Sequence, residues 1–351
     1  MRIRSHSFLI EHPLRTPPPL VAGGWGRGSW IQKRYQRLFT PTLALPPQGG
    51  GKRSSCTRAI LIHLLLFFIL LGAGAKSLAA AQIQDDRGQT VSLAAAPRRI
   101  VSLYGGLTET LVALGLGQLI VARTQGDDSL KGIPTVGTHL QPNVEMILAL
   151  RPDLVVQGGV PKGLPALTRL EANGIPVAMF APRDFAGLFS VIRRLGALTD
   201  RGQAAADLER AMAEKLAAVA RQVAGRPPLR VFFEVRYHNL LAAGRGSLVN
   251  DIITRAGGVN ILESPQKLTA YSLEALIQAD PEVYIIQQGP MNRSPEDIYT
   301  RPYFQELQAV RRRRVLVVQE SLFSRPGPRS AAAVEQLARF LHPGAFSKEK
   351  L

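Results

Sequence analysis

The stretch that decides the fold occurs twice in this chain, first as PNVEMILALRPDLVVQGG over residues 142–159. The second version, YSLEALIQADPEVYIIQQG, spans residues 271–289, and Asn143 aligns with Ser272 without a gap. Each version predicts a capped helix, a break at a Pro followed by an acidic residue, a buried strand and a glycine turn. A unit of this kind written twice predicts two lobes of similar build.

Strands and helices alternate around both versions of the unit. The apolar runs are short and nearly continuous, which is typical of strands in a parallel sheet covered on both faces. The order of elements in residues 97–198 restarts in residues 229–343. The predicted fold class is therefore α/β, with two doubly wound lobes.

Residues 199–225 separate the two lobes and differ from both in composition. The segment contains no Pro, is rich in Ala, Glu, Lys and Arg, and ends at Gly225 before a Pro-Pro pair. Its apolar residues recur at steps of three or four: Leu208, Met212, Leu216, Val219 and Val223. This period predicts a single long amphipathic α-helix that joins the lobes.

The formal charge of +17 is concentrated near the N-terminus, since residues 1–81 hold 11 of the 43 Lys and Arg but 1 of the 26 Asp and Glu. This distribution argues against nucleic acid as a partner of the folded lobes. Residues 1–51 are rich in Arg, Pro and Gly without an apolar period. They are interpreted as a disordered basic extension or a gene-model artefact.

Residues 52–81 have the layout of a secretory signal peptide. A basic segment is followed by an apolar run from Ala59 to Ala75 and by small residues suited to cleavage after Ala79 or Ala81. The alternative is an uncleaved anchor, for which 17 residues are short beside the ~20 that a span prefers. Cys56 is the only cysteine and precedes the apolar run, so the mature chain has no disulfide and no thiolate metal site.

The mature chain lacks the familiar catalytic motifs. It contains no G-x-S-x-G, no H-E-x-x-H and no Walker A loop, and no two histidines have metal-ligand spacing. An exported two-lobed protein of this kind is expected to be a receptor for a small molecule, with no catalytic residues, no metal site and no cofactor of its own. The alternative is a two-lobed α/β enzyme of chelatase or glycosyltransferase type.

The ordered motifs PRRIVSL, LTETLVALGLG, VGTHLQPNVEMILALRPDLVV, AGGVNIL and YSLEALIQADPEVYII resemble one known family. That family is the periplasmic substrate-binding proteins of the cobalamin and iron-siderophore class, which serve ABC importers. The resemblance covers residues 97–343. One departure is Tyr104-Gly105-Gly106 after the first strand, where many members carry Pro or Ser and haem-binding relatives place glycines.

The resemblance implies a ligand cleft between the lobes and a monomer that meets the membrane only through its transporter. It implies a metal chelate as ligand: cobalamin or another corrinoid first, then a ferric siderophore or haem. It also implies that Glu145 and Glu274, which occupy matching places in the two units, dock on arginines of a permease dimer. Their alternative role is to favour the dipole of the helix each begins. A sensor that hands its ligand to a receptor kinase remains a further possibility.

Ligands of open α/β sheets bind beyond the carboxyl ends of the strands. Aromatic and Arg side chains in those loops suit a large flat chelate, through stacking and charged hydrogen bonds. The ligand-binding residues predicted on this basis are Tyr104, Gln125, His139, Arg236, Tyr237, His238, Tyr271 and Arg325. The alternative for each is an ordinary surface loop residue.

Overall fold

The computed structural model describes residues 81–159 and 164–346. The predicted extension, residues 1–51, lies outside the described residues, and so does the predicted signal peptide, residues 52–81, apart from its last residue. Within the described part of the chain, no helix is both long and apolar enough to span a membrane.

A two-stranded antiparallel hairpin opens the described chain. Its strands are β1 (Ala81–Gln84) and β2 (Thr90–Leu93). In the turn between them, the Asp86 carboxylate accepts hydrogen bonds from Arg194 Nη2 and from the Ala181 backbone N–H, both at 2.6 Å. These bonds fix the hairpin to the first lobe.

The first lobe contains the parallel sheet that the sequence predicts. Its four strands lie in the order β4 (Ile120–Arg123), β3 (Ile100–Ser102), β5 (Leu154–Gly158) and β6 (Val177–Phe180). Its helices are α1 (Gly105–Ala113), α2 (Val144–Ala149), α3 (Pro165–Ala172) and α4 (Phe185–Leu198). Every residue of β5 and β6 is buried, as apolar strands covered on both faces should be.

A 22-residue helix, α5 (Gly202–Val223), lies between the two lobes along the chain. It packs on α4 of the first lobe, and its buried stripe consists of Ala205, Met212, Leu216 and Val219. It begins three residues later than predicted because Thr199 caps α4, with its hydroxyl donating to the Leu195 carbonyl at 2.7 Å. Asp200 then turns the chain with a φ of 55°.

The second sheet is mixed and so differs from the predicted doubly wound lobe. Its strands lie in the order β10 (Leu268–Ala270), β8 (Leu241–Ala243), β7 (Leu229–Arg236), β11 (Val283–Gln288) and β12 (Val315–Gln319), with β9 (Gly258–Asn260) beside β7. Strand β8 runs antiparallel to both β7 and β10. Only residues 237–240 separate β7 from β8, which is too short for a crossover to a parallel strand.

The helices of the second lobe cover this sheet. They are α6 (Leu248–Arg255), α7 (Leu273–Ala279), α8 (Gln308–Arg311), α9 (Glu320–Phe323) and α10 (Ser330–Leu341). Helices α6 and α10 also pack on α5, so α5 contacts both lobes.

Both copies of the repeated unit begin with the predicted helix cap. The Asn143 side chain accepts a hydrogen bond from the Met146 N–H at 2.9 Å, at the start of α2. The Ser272 hydroxyl accepts one from the Ala275 N–H at 3.1 Å, at the start of α7. Each cap satisfies a backbone donor that the first turn of a helix would otherwise leave unpaired.

The lobes also touch directly, at a seam between α1 and the turn before α10. Gly106 lies so close to the Pro326 carbonyl that a Cβ atom would collide with it. Beside this contact, Arg329 donates from Nε and Nη2 to the Glu109 carboxylate at 3.0 and 2.5 Å. The seam closes one side of the space between the two sheets.

Candidate functional site

A cavity of about 830 Å³ is lined by residues that follow strands of both sheets. In the first lobe, Tyr104 follows β3 and Gln125 follows β4. In the second lobe, Gln288 ends β11 and Gln319 ends β12. The cavity therefore lies at the carboxyl ends of the strands, where open α/β sheets place their ligands.

Tyr104 forms one wall of this cavity. Its ring lies against the backbone of Gly158 and Gly159, and a Cβ on either glycine would come within 2.7 Å of the ring. Gly159 also has a φ of 79°, in the left-handed region that favours glycine. Burial raises the pKa of the Tyr104 phenol, so the group stays protonated at neutral pH.

His139 stands edge-on to Tyr104, with the ring centroids 5.9 Å apart and the planes at 68°. Its backbone carbonyl accepts a hydrogen bond from Gln157 Nε2 at 3.1 Å. Burial lowers the pKa of His139, and the positive charges of Lys267 and Arg325 lower it further. The imidazole is therefore neutral at pH 7 and offers a lone pair.

Charged side chains line the second-lobe side of the cavity. Three of them are cationic, Lys267, Arg293 and Arg325, and one is anionic, Glu320. Arg325 lies between carboxylates, 3.9 Å from Glu320 and 3.8 Å from Asp128 of the first lobe. Positive charge thus outweighs negative charge along this wall, which favours a ligand with anionic groups.

The Glu320 carboxylate is held by other groups besides Arg325. It accepts a hydrogen bond from the Met291 backbone N–H at 2.9 Å and one from Gln287 Nε2 at 3.2 Å. The Gln287 side-chain oxygen in turn accepts a hydrogen bond from the Ser324 hydroxyl. This network fixes the carboxylate beside Arg325 and shapes the cavity wall.

Four of the predicted ligand-binding residues line the cavity: Tyr104, Gln125, His139 and Arg325. Three belong to the first lobe and one to the turn at the seam. Their side chains come from loops far apart in the sequence, and the structure brings them together around one space.

The other four predicted residues do not line the cavity: Arg236, Tyr237, His238 and Tyr271. The Tyr237 ring covers the guanidinium of Arg301, whose Cζ lies 4.0 Å from the ring centroid. The Tyr271 ring packs on Phe232 at 5.7 Å. Both tyrosines are therefore engaged by the core of the second lobe.

Four further cavity-lining residues were not predicted from the sequence: Lys267, Gln287, Arg293 and Glu320. Gln287 satisfies the same rule that placed Tyr104 and Gln125, because it lies near the carboxyl end of the second repeated strand, β11. Lys267 directly precedes β10, a strand that was not predicted from the sequence. Because β10 was not predicted, no sequence pattern placed the loop that holds Lys267 at the cavity.

Glu145 and Glu274 lie on the outer surface, away from the cavity. Both are exposed and occupy the second position of their helices, α2 and α7. The Glu145 carboxylate forms an ion pair with Arg169 Nη2 at 2.8 Å. A hydrogen bond with the backbone lowers the pKa of Glu145, and the hydrogen bond and positive charge of Arg169 lower it further.

The cavity lining combines ring and charged side chains that can contact a bound ligand. Across the described residues, no group of three or more His, Cys, Asp or Glu side chains is placed to hold a metal ion. The cavity instead offers aromatic and imidazole groups on one side and cations on the other.

The model of one protein family, described as periplasmic binding protein, matches residues 100–322 of the sequence. The chain belongs to this family. It is therefore a transport binding protein and not an enzyme, which removes the chelatase and glycosyltransferase alternative.

Individual relatives agree with this placement. The uncharacterized ABC transporter substrate-binding lipoprotein YvrC of Bacillus subtilis is 26% identical over 276 residues, covering 76% of this chain and 87% of the relative. The vitamin B12-binding protein of Vibrio cholerae is 28% identical over 262 residues, covering 72% and 93%. A solved structure of a periplasmic heme binding protein from Pseudomonas aeruginosa superposes with a TM-score of 0.63 at 28% identity, covering 70% and 93%.

Proposed function

We propose that this protein captures a metal chelate in the cavity between its lobes and delivers it to an ABC importer in the inner membrane. The observation that carries the proposal is the cavity of about 830 Å³ lined from both lobes. Its size falls within the ~300–1,000 Å³ of sites that enclose whole small molecules. Aromatic, imidazole and cationic side chains around it suit a flat chelate with polar or anionic edges.

A corrinoid such as cobalamin is the first candidate ligand, followed by a ferric siderophore and haem. The sequence motifs and the vitamin B12-binding relative support the corrinoid. One specific observation favours haem: the neutral His139 imidazole beside Tyr104 offers a metal ligand, and Lys267, Arg293 and Arg325 offer partners for carboxylates.

Titration of the purified mature chain tests the proposal. Cobalamin, a set of ferric siderophores and haem are added in turn, and binding is followed by calorimetry and by the absorbance of each chelate. At least one chelate is expected to bind with a Kd near or below ~1 μM and to be recovered unchanged. Absence of binding to all three classes would contradict the proposed ligand class.

Docking on the permease is proposed for Glu145 and Glu274. Their matching places in the two repeated helices and their exposure support this role. A transporter built from two like subunits would meet one glutamate from each lobe. Such exposed charges set orientation and the rate of encounter more than they add affinity.

The segment 52–81 is proposed to direct export and to be cleaved after Ala79 or Ala81, so that the mature chain begins near Ala80 or Gln82. Strand β1 begins at Ala81, which pairs with Leu93, so cleavage after Ala79 would leave the hairpin whole. Intact-mass measurement of the exported protein tests this. A mass that includes residues 59–75 would show an uncleaved anchor instead.

Small closure around the ligand is proposed, because one helix connects the lobes and packs on both of them. A continuous helix has fewer soft dihedrals than a hinge of several strands, so the lobes 97–198 and 229–343 should move little relative to each other. Small-angle scattering with and without bound chelate measures the change in radius of gyration.

A further inference from the structure

A second, smaller cavity of about 260 Å³ lies beside the main cavity. The two share Tyr104, Gly159 and Lys267 in their linings, so they adjoin at these residues. The smaller cavity is below the ~300–1,000 Å³ that whole-ligand sites occupy. It is therefore sized for a part of a ligand whose main body lies elsewhere.

The walls of the smaller cavity are mainly apolar, with Asp86, Arg183 and Lys267 as the charged residues of its lining. Leu107, Met179, Phe180 and Leu188 contribute to it, and each of these residues is at least 98% buried. Such walls are fixed by the core of the first lobe and are not free to collapse into the space. An apolar group that enters is removed from water, which is favourable in proportion to the area it buries.

Tyr104 separates the two spaces. Its ring is held against the Gly158–Gly159 backbone on one side and meets His139 edge-on. Where the spaces adjoin, Lys267 lines both and places a positive charge at the passage. A group reaching from one space to the other must pass this charge, which an anionic linker would do favourably.

We propose that the smaller cavity binds an apolar or aromatic tail of the chelate, joined through an anionic or polar linker that passes Lys267. This inference rests on the proposed function, since the metal-bearing part would occupy the main cavity. Two kinds of chelate carry such a tail: a corrinoid with its benzimidazole nucleotide, and a siderophore with an acyl chain.

Paired ligands test the inference in the unaltered protein. Cobalamin is compared with cobinamide, which lacks the nucleotide tail, and an acylated ferric siderophore is compared with its deacylated form. The tailed member of at least one pair is expected to bind ten-fold or more tightly than the tailless member. The pair that discriminates identifies the source of the tail.

A variant that fills the smaller cavity sharpens the test. Ala181 lines the smaller cavity and not the main one, so Ala181→Phe should occupy the space a tail would use. It should weaken the tailed chelate at least ten-fold and change the tailless one less than two-fold. Ala186→Phe, an exposed position in α4 that lines neither cavity, is the matched control.

Two outcomes would overturn the inference. Equal affinity for tailed and tailless chelates in the unaltered protein, with Ala181→Phe binding both normally, leaves the proposed function standing and the subsite refuted. Failure of every chelate to bind the unaltered protein removes the proposed function and the inference together. Because the paired comparison needs no variant, a folding defect in Ala181→Phe would not obscure the result.

Discussion

An arginine holds the end of the repeated helix in both lobes, Arg99 in the first and Arg230 in the second. Arg99 donates from Nε and Nη2 to the Leu150 carbonyl at 2.9 and 2.7 Å. Arg230 donates from Nη1 to the Ala279 carbonyl and from Nη2 to the Asp280 carbonyl, both at 2.6 Å. Each arginine satisfies carbonyls that the last turn of a helix leaves unpaired and complements its dipole.

The acidic residue after the shared Pro completes the same contact in both lobes. The Asp153 carboxylate accepts from the backbone N–H groups of Arg98 and Arg99 at 2.7 and 3.0 Å. The Glu282 carboxylate accepts from the backbone N–H of Arg230 at 2.9 Å. The repeated sequence thus encodes a repeated set of backbone contacts between the helix, the next strand and its neighbour.

The lobes differ in what the strands bury. In the first lobe, the aligned strands place Leu103 and Val155 in an apolar cluster. The matching positions in the second lobe are Glu234 and Tyr284, and the Tyr284 hydroxyl donates to the Glu234 carboxylate at 2.6 Å. Arg301 Nη1 approaches the same carboxylate at 2.5 Å, and all three side chains are buried.

The same set of backbone contacts therefore supports an apolar core in the first lobe and a core with a buried ion pair in the second. A buried ion pair needs partners on every side, since its charges have left water. Arg301 therefore also donates to the Glu296 carbonyl at 2.7 Å and lies under the Tyr237 ring. In the second lobe the Tyr237 ring packs on this buried ion pair, whereas in the first lobe Tyr104 faces the cavity.

Breaking the ionic core should have the largest effect on stability. Arg301→Met leaves the Glu234 carboxylate buried without its cation. The free energy of unfolding is expected to fall by ~3–5 kcal/mol, the usual cost of removing one partner of a buried pair. Urea denaturation followed by circular dichroism measures the loss.

A triple variant converts the second core to the chemistry of the first. Glu234→Leu with Tyr284→Phe and Arg301→Met removes the charges and the hydroxyl together. Since apolar replacements of a buried ion pair are often neutral or stabilising, the triple variant should recover most of the stability that Arg301→Met loses. A triple variant no more stable than the single one would show that the ion pair itself holds this lobe.

Much of the fold follows from the sequence because its determinants are local. Asn143 and Ser272 cap their helices through bonds to residues three positions away, and the apolar period of α5 is visible without any partner. Strands β8 (LAA) and β10 (LTA) did not follow, because neither has the β-branched apolar pair that begins the equally short strand β3 (IVS).

The candidate site follows from the sequence only in part, because contacts between residues far apart in the chain decide which loop side chains line the cavity. Arg301 and Glu234 are 67 residues apart, and no sequence pattern near either residue shows that they form an ion pair or that the Tyr237 ring packs on Arg301. The cavity-lining position of Tyr104 follows from the sequence, because this residue directly follows a predicted strand. The first lobe, with its apolar core, was therefore the more predictable half of the site.

A smaller loss of stability is expected from a substitution that forces apart the seam between the lobes. Gly106→Ala places a methyl group against the Pro326 backbone carbonyl, which cannot rotate away as a side chain would. Overpacking of this kind costs ~1–3 kcal/mol, and thermal unfolding measures it. Gly202→Ala, at the first residue of α5 with nothing within 4 Å, is the control and should be neutral or slightly stabilising.

Acid should expose a difference between the lobes through His139. Because its pKa in the folded protein is lowered from 6.5, the unfolded chain binds a proton that the folded chain does not. Above about pH 6.5, protonation of His139 does not change the free energy of unfolding. Below pH 6.5, the free energy of unfolding falls until the imidazole of the folded protein also takes up a proton. His139→Gln should flatten this part of the profile, which urea denaturation at a series of pH values measures.

The smallest effect on stability is expected at Glu145 and Glu274, the exposed glutamates at matching positions of the two repeated helices. Glu145 is 71% exposed and pairs with Arg169, whereas within the described residues no salt bridge or side-chain hydrogen bond holds Glu274. If both dock on the permease, Glu274 offers its full charge and Glu145 must first exchange Arg169 for a permease arginine. Arg169→Ala should then speed docking through the first lobe.

Charge reversal at both positions decides whether the repeat serves docking. Glu145→Lys with Glu274→Lys should leave chelate affinity and the unfolding transition nearly unchanged, because both side chains lie outside the cavity and outside the core. Uptake of the chelate by cells should fail, since each lobe would then present a cation to the permease. Glu145→Gln with Glu274→Gln removes the charges without reversing them and should give intermediate uptake. Normal uptake by the reversed variant would mean that these glutamates only stabilise their helices.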